Sequence, residues 1–353
     1  MLKKVKLLTL KAAKSLGVFD LLLRSRWRKN RLLILAYHGI SLDDEHLWNP
    51  ELYMTLDEFR SRMRMVKELG CNVLGLEEAL RRVYTRDLPE RSLVLTFDDG
   101  CYSFYRKAFP LIKEFNWPCT VYLSSYYSGF NRPVFDVMCS YLLWKGGDRI
   151  IDGGEFAKNG SRFDLRNVAG RSAAVLAIRS FARENRLSAI EKDALLISLS
   201  NHLSVDYEAI LSKRILHLLS PNEIALLAAE GVDIQLHTHR HCCPSRREFF
   251  LCELEDNRHF IKEFTNTSAS HFCYPSGMYK LQYLAWLRES SIVSATTCNP
   301  GLVKRSTNPL TLPRLPDTRS LHPTEFEGWL CGFSSILPRR IARGDTIIEP
   351  YYY

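Results

Sequence analysis

A short apolar segment that ends in two adjacent carboxylates places the strongest constraint on how this chain folds. Residues 93–97 read Leu-Val-Leu-Thr-Phe and are followed directly by Asp98, Asp99 and Gly100. Such a composition predicts a strand buried on both faces, as parallel strands are. An ionised carboxylate beside a core must be hydrogen-bonded, paired or metal-bound, so the two acids indicate a functional site. The structural alternative is a helix cap followed by a turn at Gly100.

Strand-like and helix-like stretches alternate from residue 32 onward, which is typical of parallel βαβ units. The alternation breaks at about 126–219, where glycine-rich turns and mostly helical patterns predict a largely helical insertion. It resumes near residue 220 and continues to about 315. The whole pattern predicts an α/β domain with seven or eight strands.

Residues that can carry chemistry follow directly on the ends of predicted strands, namely His38, Asp98-Asp99, His237 and Tyr274-Pro275. The carboxyl ends of strands form the functional face in barrels and in open α/β sheets. His237 and His241 are four residues apart, a spacing that lets both side chains share one face of a turn and bind one metal ion. A chance cluster of surface histidines is the alternative.

At these residues the chain resembles the polysaccharide deacetylases, the enzymes of the NodB homology domain and carbohydrate esterase family 4. Residues 96–100 match the first motif of that family in full, His237-Thr238 with His241 matches its second, and 274–277 resembles its third. The resemblance covers about 32–125 and 220–316. It implies a distorted (β/α) barrel, usually of seven parallel strands.

The resemblance also implies roles for individual residues. Asp99, His237 and His241 would hold a divalent metal, most often Zn²⁺, and Asp98 would be the general base. A branch of the family that begins with a Tyr-His strand end implies that His38 is the general acid; a buried histidine bonded to backbone is the alternative. The implied activity is metal-dependent removal of N-acetyl groups from an N-acetylated carbohydrate.

The later family motifs are incomplete in this chain. Cys273 stands where many relatives have an arginine, and the stretch 311–316 lacks the histidine of the fifth motif. Arg314 within that stretch would orient a substrate or the catalytic aspartate, or would be an ordinary surface ion, while His322 is the next candidate acid. These gaps leave other functions open: a catalytically silent barrel that binds a glycan or a protein partner, and an esterase or cyclic amide hydrolase with the same centre.

The net positive charge of the chain lies in its first 31 residues. They contain one acid and ten basic residues, which give +9, the net charge of the whole 353-residue chain. The remaining 38 basic and 38 acidic residues balance, so the globular part gives no sign of a nucleic-acid groove. The ten are Lys3, Lys4, Lys6, Lys11, Lys14, Arg24, Arg26, Arg28, Lys29 and Arg31.

Residues 1–31 also carry helical periodicity, because apolar residues recur three or four positions apart from Leu2 to Leu23. A basic amphipathic helix of this kind either lies on an anionic membrane surface or closes one side of the main domain. The apolar stretch 7–10 is interrupted by Lys11, which does not predict a signal peptide. With ten scattered cysteines, the sequence predicts a cytoplasmic protein, either soluble or peripheral to the inner membrane leaflet.

We therefore predict three parts of the chain: an amphipathic segment at 1–31, a deacetylase-like barrel at 32–325 with the insertion at about 126–219, and a C-terminal tail at 326–353.

Overall fold

The computed structural model describes residues 2–156 and 161–337, which form a ring of parallel strands with helices outside it. The strands in these ranges are β1 Leu33–Tyr37, β2 Gly39–Ile40, β3 Tyr53–Met54, β4 Asn72–Val73, β5 Ser92–Phe97, β6 Thr120–Leu123, β7 Ile150–Asp152, β8 Arg162–Asp164, β9 Asp233–Leu236, β10 His271–Cys273, β11 Ser294–Thr296 and β12 Leu315–Pro316.

The α-helices in the same ranges are α1 Leu2–Ser15, α2 Val18–Leu23, α3 Arg26–Lys29, α4 Glu45–Trp48, α5 Leu56–Glu68, α6 Leu76–Thr85, α7 Phe109–Glu114, α8 Phe135–Lys145, α9 Val168–Glu184, α10 Ala189–His202, α11 Tyr207–Ser212, α12 Pro221–Ala229, α13 Arg247–Thr265, α14 Leu281–Glu289 and α15 Pro323–Leu330. A π-helical turn, Phe104–Ala108, leads into α7.

Seven of the described strands follow one another around the barrel in the order β11, β10, β9, β6, β5, β1 and β12, and all their pairings are parallel. Short β4 pairs with the first residues of β5. The two edges of the sheet meet in one segment, because Leu312 bridges Thr296 of β11 while Leu315 pairs with Leu35 of β1. The predicted α/β fold, a distorted barrel of about seven parallel strands, is confirmed.

The parallel direction of the strands explains why the site forms where it does. β5 and β1 are buried along their whole length, so every side chain on them packs inside the protein. The residues that follow β1, β5, β9 and β12 therefore emerge together at one end of the ring. This brings His38, Asp98, His237 and Asp317 from distant parts of the sequence to one face.

A second apolar cluster lies outside the barrel core. It is built mainly from α8 to α11, with Met138, Tyr141 and Leu196 among its buried members. The short antiparallel pair β7 and β8 belongs to the same part of the chain. The segment at about 126–219 is thus largely helical, as predicted, and residues 157–160 within it lie outside the described residues.

The N-terminal segment differs from the prediction of one continuous amphipathic helix. Gly17 has φ of +72°, a left-handed conformation that glycine adopts without a Cβ clash, and it separates α1 from α2. Of the predicted apolar stripe, Val5, Leu8 and Leu16 of α1 are exposed, whereas Phe19 and Leu23 of α2 are buried. The face of α1 that packs inside the protein carries Leu10 and Ala13.

The boundary predicted at residue 326 falls inside a helix. Phe326, Trp329 and Leu330 of α15 are buried in the main core, and α1 packs on this helix through ion pairs of Lys6 with Glu325 and of Lys14 with Glu327. Residues 323–337 therefore pack with the barrel rather than extending from it as a tail. The rest of the predicted tail, 338–353, lies outside the described residues.

Arg28 joins the N-terminal segment to the barrel. Its guanidinium is fully buried and donates to the backbone oxygens of Leu330, Arg31 and Ser92. Burial lowers the pKa of Arg28 to about 10, so the group remains charged at neutral pH. None of the helices in the described part of the chain is both long and apolar enough to cross a membrane.

Truncation of a leucine to alanine should affect the free energy of unfolding differently on the buried and the exposed face of α1. Leu10→Ala should lower the free energy of unfolding by about 2–5 kcal/mol, because it removes a fully buried side chain. Leu8→Ala should change it by less than about 0.5 kcal/mol, because Leu8 is 66% exposed. Urea titration of both variants measures the difference; equal losses would show that α1 does not pack through Leu10.

Candidate metal centre and active site

The turn after β5 presents two carboxylates in different directions. The backbone N–H of Asp98 donates to the carbonyl of Tyr37, which continues the ladder with β1 for one more residue. Asp99 and Gly100 then have φ of +69° and +77°, so the chain turns sharply. A Cβ at position 100 would lie 2.4 Å from Cδ1 of Leu123, so both the backbone and the space require glycine there.

The turn after β9 brings both histidines to the same place. Thr238 and His241 have φ of +62° and +58°, values that are unusual for residues other than glycine and cluster at functional sites. The backbone N–H of His237 donates to the side-chain oxygen of Asn257, and its imidazole Nδ1 lies 2.8 Å from the carbonyl oxygen of Cys273. The ring of His237 is therefore held with Nε2 facing the turn after β5.

Asp99, His237 and His241 meet in one three-atom centre. Oδ1 of Asp99 lies 3.2 Å from Nε2 of His237 and 3.2 Å from Nε2 of His241. This oxygen is buried, yet it has no hydrogen-bond partner in the described structure. Burial alone would raise the pKa of Asp99, but the two imidazoles hold this pKa well below its usual value. A buried, ionised oxygen without a hydrogen bond between two imidazole nitrogens is what a metal-ligand set requires.

The donor set fits a divalent ion with one or more open positions. Two imidazole nitrogens and one carboxylate oxygen are ligands that Zn²⁺ and related ions accept, and catalytic sites keep a position free for water or substrate. The contact of His237 Nδ1 with a backbone carbonyl is the usual support for a metal-binding histidine. His241 is 43% exposed, so solvent reaches the centre from its side.

A second grouping of possible ligands, Asp98 with His237 and Cys273, lies next to the first. Both oxygens of Asp98 already accept hydrogen bonds from Arg314, and His237 directs Nε2 toward Asp99. This second grouping is therefore a poorer metal site. Cys242 and Cys243 belong to neither grouping.

Arg314 is the partner of the predicted general base. It lies between Leu312 and Leu315, in the segment where the two edges of the sheet meet. It is fully buried, and its NH1 and NH2 nitrogens are each 2.7 Å from one oxygen of Asp98. Burial alone would raise the pKa of Asp98, but the guanidinium outweighs burial and holds this pKa below its usual value. Of the three interpretations of Arg314, the geometry favours the one that orients the aspartate; a surface ion is wrong.

The NH2 nitrogen of Arg314 also lies 3.1 Å from the sulfur of Cys273. Cys273 is the residue found where many relatives would have an arginine. The small side chain leaves room for a guanidinium that comes from the segment just before β12. Arg314 thus contacts both Cys273 and Asp98.

His38 lies beside the same aspartate. Its Nε2 is 3.9 Å from Oδ2 of Asp98, and its side chain is 20% exposed. The structure therefore places the predicted acid at the rim of the centre, next to the predicted base. His322 accepts the backbone N–H of Thr324 as the cap of α15, and its described contacts include none of the centre's residues.

Sequence reasoning missed one residue that holds the site together. Asn257 of α13 is fully buried, accepts from His237 and donates to the carbonyl of Leu123 and the hydroxyl of Ser125. It links the ends of β6 and β9. The sequence signal for this residue was an asparagine at a position of an amphipathic helix that faces the core. Such a pattern does not predict which groups the amide bonds to.

The fold and the centre together define a (β/α) barrel whose Asp-His-His set, beside a buried ionised carboxylate, has the form of a catalytic metal site. Comparisons with known proteins point to the same class, although no family model matches the chain. Over 101 residues it is 29% identical to the poly-β-1,6-N-acetyl-D-glucosamine N-deacetylase of Escherichia coli K12, a match that covers 28% of this chain and 15% of that protein.

The enzyme of the same name from Staphylococcus epidermidis is 27% identical over 116 residues, which cover 30% of this chain and 39% of that protein. The chain thus matches well under half the length of either relative. Among solved structures, the deacetylase PplD of Streptococcus pyogenes in complex with acetate aligns with a TM-score of 0.55 and 18% identity, over 87% of this chain and 99% of that chain. The fold is that of the polysaccharide deacetylases, and the resemblance predicted from the motifs is confirmed.

The centre predicts which histidines are needed for metal binding. His241→Ala should weaken metal affinity by more than about a hundredfold, because loss of a supporting contact alone costs 10–100-fold. His239→Ala is the matched control, since its Nδ1 faces the hydroxyl of Ser125 and it is absent from the ligand set. Metal analysis after desalting should find one ion per chain in the control and none in His241→Ala; equal loss in both would contradict the assignment.

Proposed function

We propose that this protein is a metal-dependent hydrolase that removes N-acetyl groups from an N-acetylated carbohydrate. The proposal rests on two adjacent carboxylates in different surroundings. Asp99 faces two imidazoles, whereas Asp98 forms an ion pair with Arg314. One carboxylate suits a metal and the other suits proton transfer. A binding module without chemistry has no need for both.

The metal proposed is Zn²⁺, held by Asp99, His237 and His241. When bound, such an ion lowers the pKa of a water and polarises the carbonyl of the substrate's acetamide. The ligand types support zinc over Mg²⁺ or Ca²⁺, which prefer sets of oxygen atoms.

Asp98 is the proposed general base, which accepts the proton of the attacking water. Its two oxygens use one position each for Arg314, and a carboxylate has further lone pairs with which to receive a proton. Arg314 keeps Asp98 ionised inside the protein and fixes its orientation. This is general-base catalysis, which typically contributes 10²–10⁴-fold to a rate.

His38 is proposed to protonate the leaving amine. The position of its imidazole at the rim, 3.9 Å from Asp98 Oδ2, allows contact with both solvent and a substrate over the centre. Loss of acetate and protonation of the sugar amine then complete the reaction. The names of the two sequence relatives suggest polymeric N-acetylglucosamine as the first substrate to test.

The decisive assay measures acetate release from N-acetylglucosamine oligomers. Asp98→Asn should reduce turnover by about 10²–10⁴-fold while metal content stays the same, because it removes a base and leaves the ligands intact. Asp57→Asn, at a carboxylate that is 92% exposed on α5, is the matched control and should retain full activity. Chelation should abolish release, and chelator-insensitive release would refute the metal's role.

Two further comparisons separate the alternative functions. Release of acetate from O-acetylated sugars faster than from N-acetylated ones would make the protein an esterase. If the protein binds one metal ion per chain but releases acetate from neither substrate, a catalytically silent glycan-binding barrel would be favoured.

The proposed general acid has its own test. His38→Ala should lower turnover by a similar 10²–10⁴-fold, whereas His322→Ala should not. Equal activities of these two variants would remove His38 from the mechanism.

We also propose that the protein works in the cytoplasm. The ten cysteines, all of which lie in the described residues, form no disulfide, which supports a reducing compartment. Cys252 is an exposed thiol on α13 and reports the compartment directly. A membrane-impermeant maleimide should label it in lysed cells and not in intact cells, with Cys252→Ser as the control; labelling in intact cells would place the protein outside the cytoplasm.

A further inference from the structure

The outward face of α1 carries an apolar stripe that nothing in the described part of the chain covers. Val5, Leu8 and Leu16 are 54%, 66% and 80% exposed, and exposed Ala12 lies between them. The four residues, called the outer stripe here, are spaced by three or four positions and so share one face of the helix. Leu21 of the following helix is also exposed, at 73%.

The outer stripe is distinct from the face with which α1 packs on the barrel. Leu10 and Ala13 are buried there, and Lys6 and Lys14 pair with glutamates of α15. The helix therefore has a second apolar face that its own fold does not use. A helix built only to close the barrel would carry polar residues on that face.

Positive charges border the outer stripe. Lys4 and Lys11 are exposed on α1, and Arg24 and Arg26 are exposed just beyond it. These residues belong to the segment that holds the chain's whole net charge of +9. A partner for this surface therefore has to be apolar at its centre and negatively charged around it.

We propose that the outer stripe is a docking surface for an anionic lipid bilayer. An amphipathic helix with apolar residues on one face and lysines at its edges lies in the interface, with its apolar side among the acyl chains and its cations at the headgroups. A second copy of this chain is a poorer occupant, because it would bring two segments of +9 together. The proposal does not depend on the hydrolase activity.

Sedimentation of the full chain with vesicles tests the proposal. The protein should bind vesicles that contain phosphatidylglycerol and should bind pure phosphatidylcholine at least about tenfold more weakly, with binding reduced by salt. A triple variant, Val5→Gln, Leu8→Gln and Leu16→Gln, should lower the partition coefficient at least about tenfold. The matched control replaces Leu47, Leu226 and Leu281 with glutamine; these are 56%, 54% and 79% exposed but lie on three different helices.

The charges are tested separately from the stripe. Lys4→Gln with Lys11→Gln should weaken binding about tenfold at low salt, and the control pair Lys262→Gln with Lys304→Gln should not. Thermal unfolding should be the same for all these variants, because every substituted side chain is exposed.

The proposal would be overturned if the protein did not bind anionic vesicles. It would also be overturned if the outer-stripe variant and its control bound these vesicles equally. A third contrary result is a dimer in sedimentation velocity that is lost in the outer-stripe variant, because a second copy of the chain would then occupy the outer stripe. Acetate release in solution should be unchanged in the outer-stripe variant, so a failed deacetylase assay and a failed vesicle assay are independent outcomes.

Discussion

A buried ion pair between Asp98 and Arg314 is the interaction on which the site depends. The residues are 216 positions apart in sequence and both are almost fully buried. Removing one partner of such a pair leaves an uncompensated charge and typically costs 3–5 kcal/mol. The pair joins the end of β5 to the segment that closes the barrel, so the same contact helps to close the barrel and keeps Asp98 ionised.

The metal centre is supported by a different kind of constraint, namely backbone geometry. Asp99, Thr238 and His241 all have left-handed backbone conformations, which cost free energy in residues other than glycine. Asn257 offsets part of that cost by bonding to His237 at the end of β9 and to Leu123 and Ser125 at the end of β6. Strain of this kind persists only where surrounding structure fixes it, and here it directs Asp99 Oδ1 and the two imidazole nitrogens toward one point.

The N-terminal segment contains a helix, α1, with two apolar faces, of which one is buried and the other exposed. Lys6 and Lys14 are partly neutralised by α15, while Lys4 and Lys11 remain exposed beside apolar side chains. Periodicity in a sequence reveals that a helix is amphipathic but does not tell which of two apolar faces the protein buries. The contacts with α15 decide this, because they place Leu10 and Ala13 inside and leave the outer stripe free.

Local patterns by themselves determined the strand that precedes Asp98, the pair of histidines that face Asp99 and the alternation that makes a parallel barrel, because each depends on residues close together in the chain. Tertiary structure alone decided that Arg314 contacts both Asp98 and Cys273, since the segment before β12 had to approach the end of β5 before the guanidinium reached Asp98. It also decided the role of Asn257, whose three partners lie at the ends of two strands, β6 and β9. Such contacts leave no signal in any single stretch of sequence, because their stabilising free energy arises only when burial removes the alternative of hydrogen bonding to water.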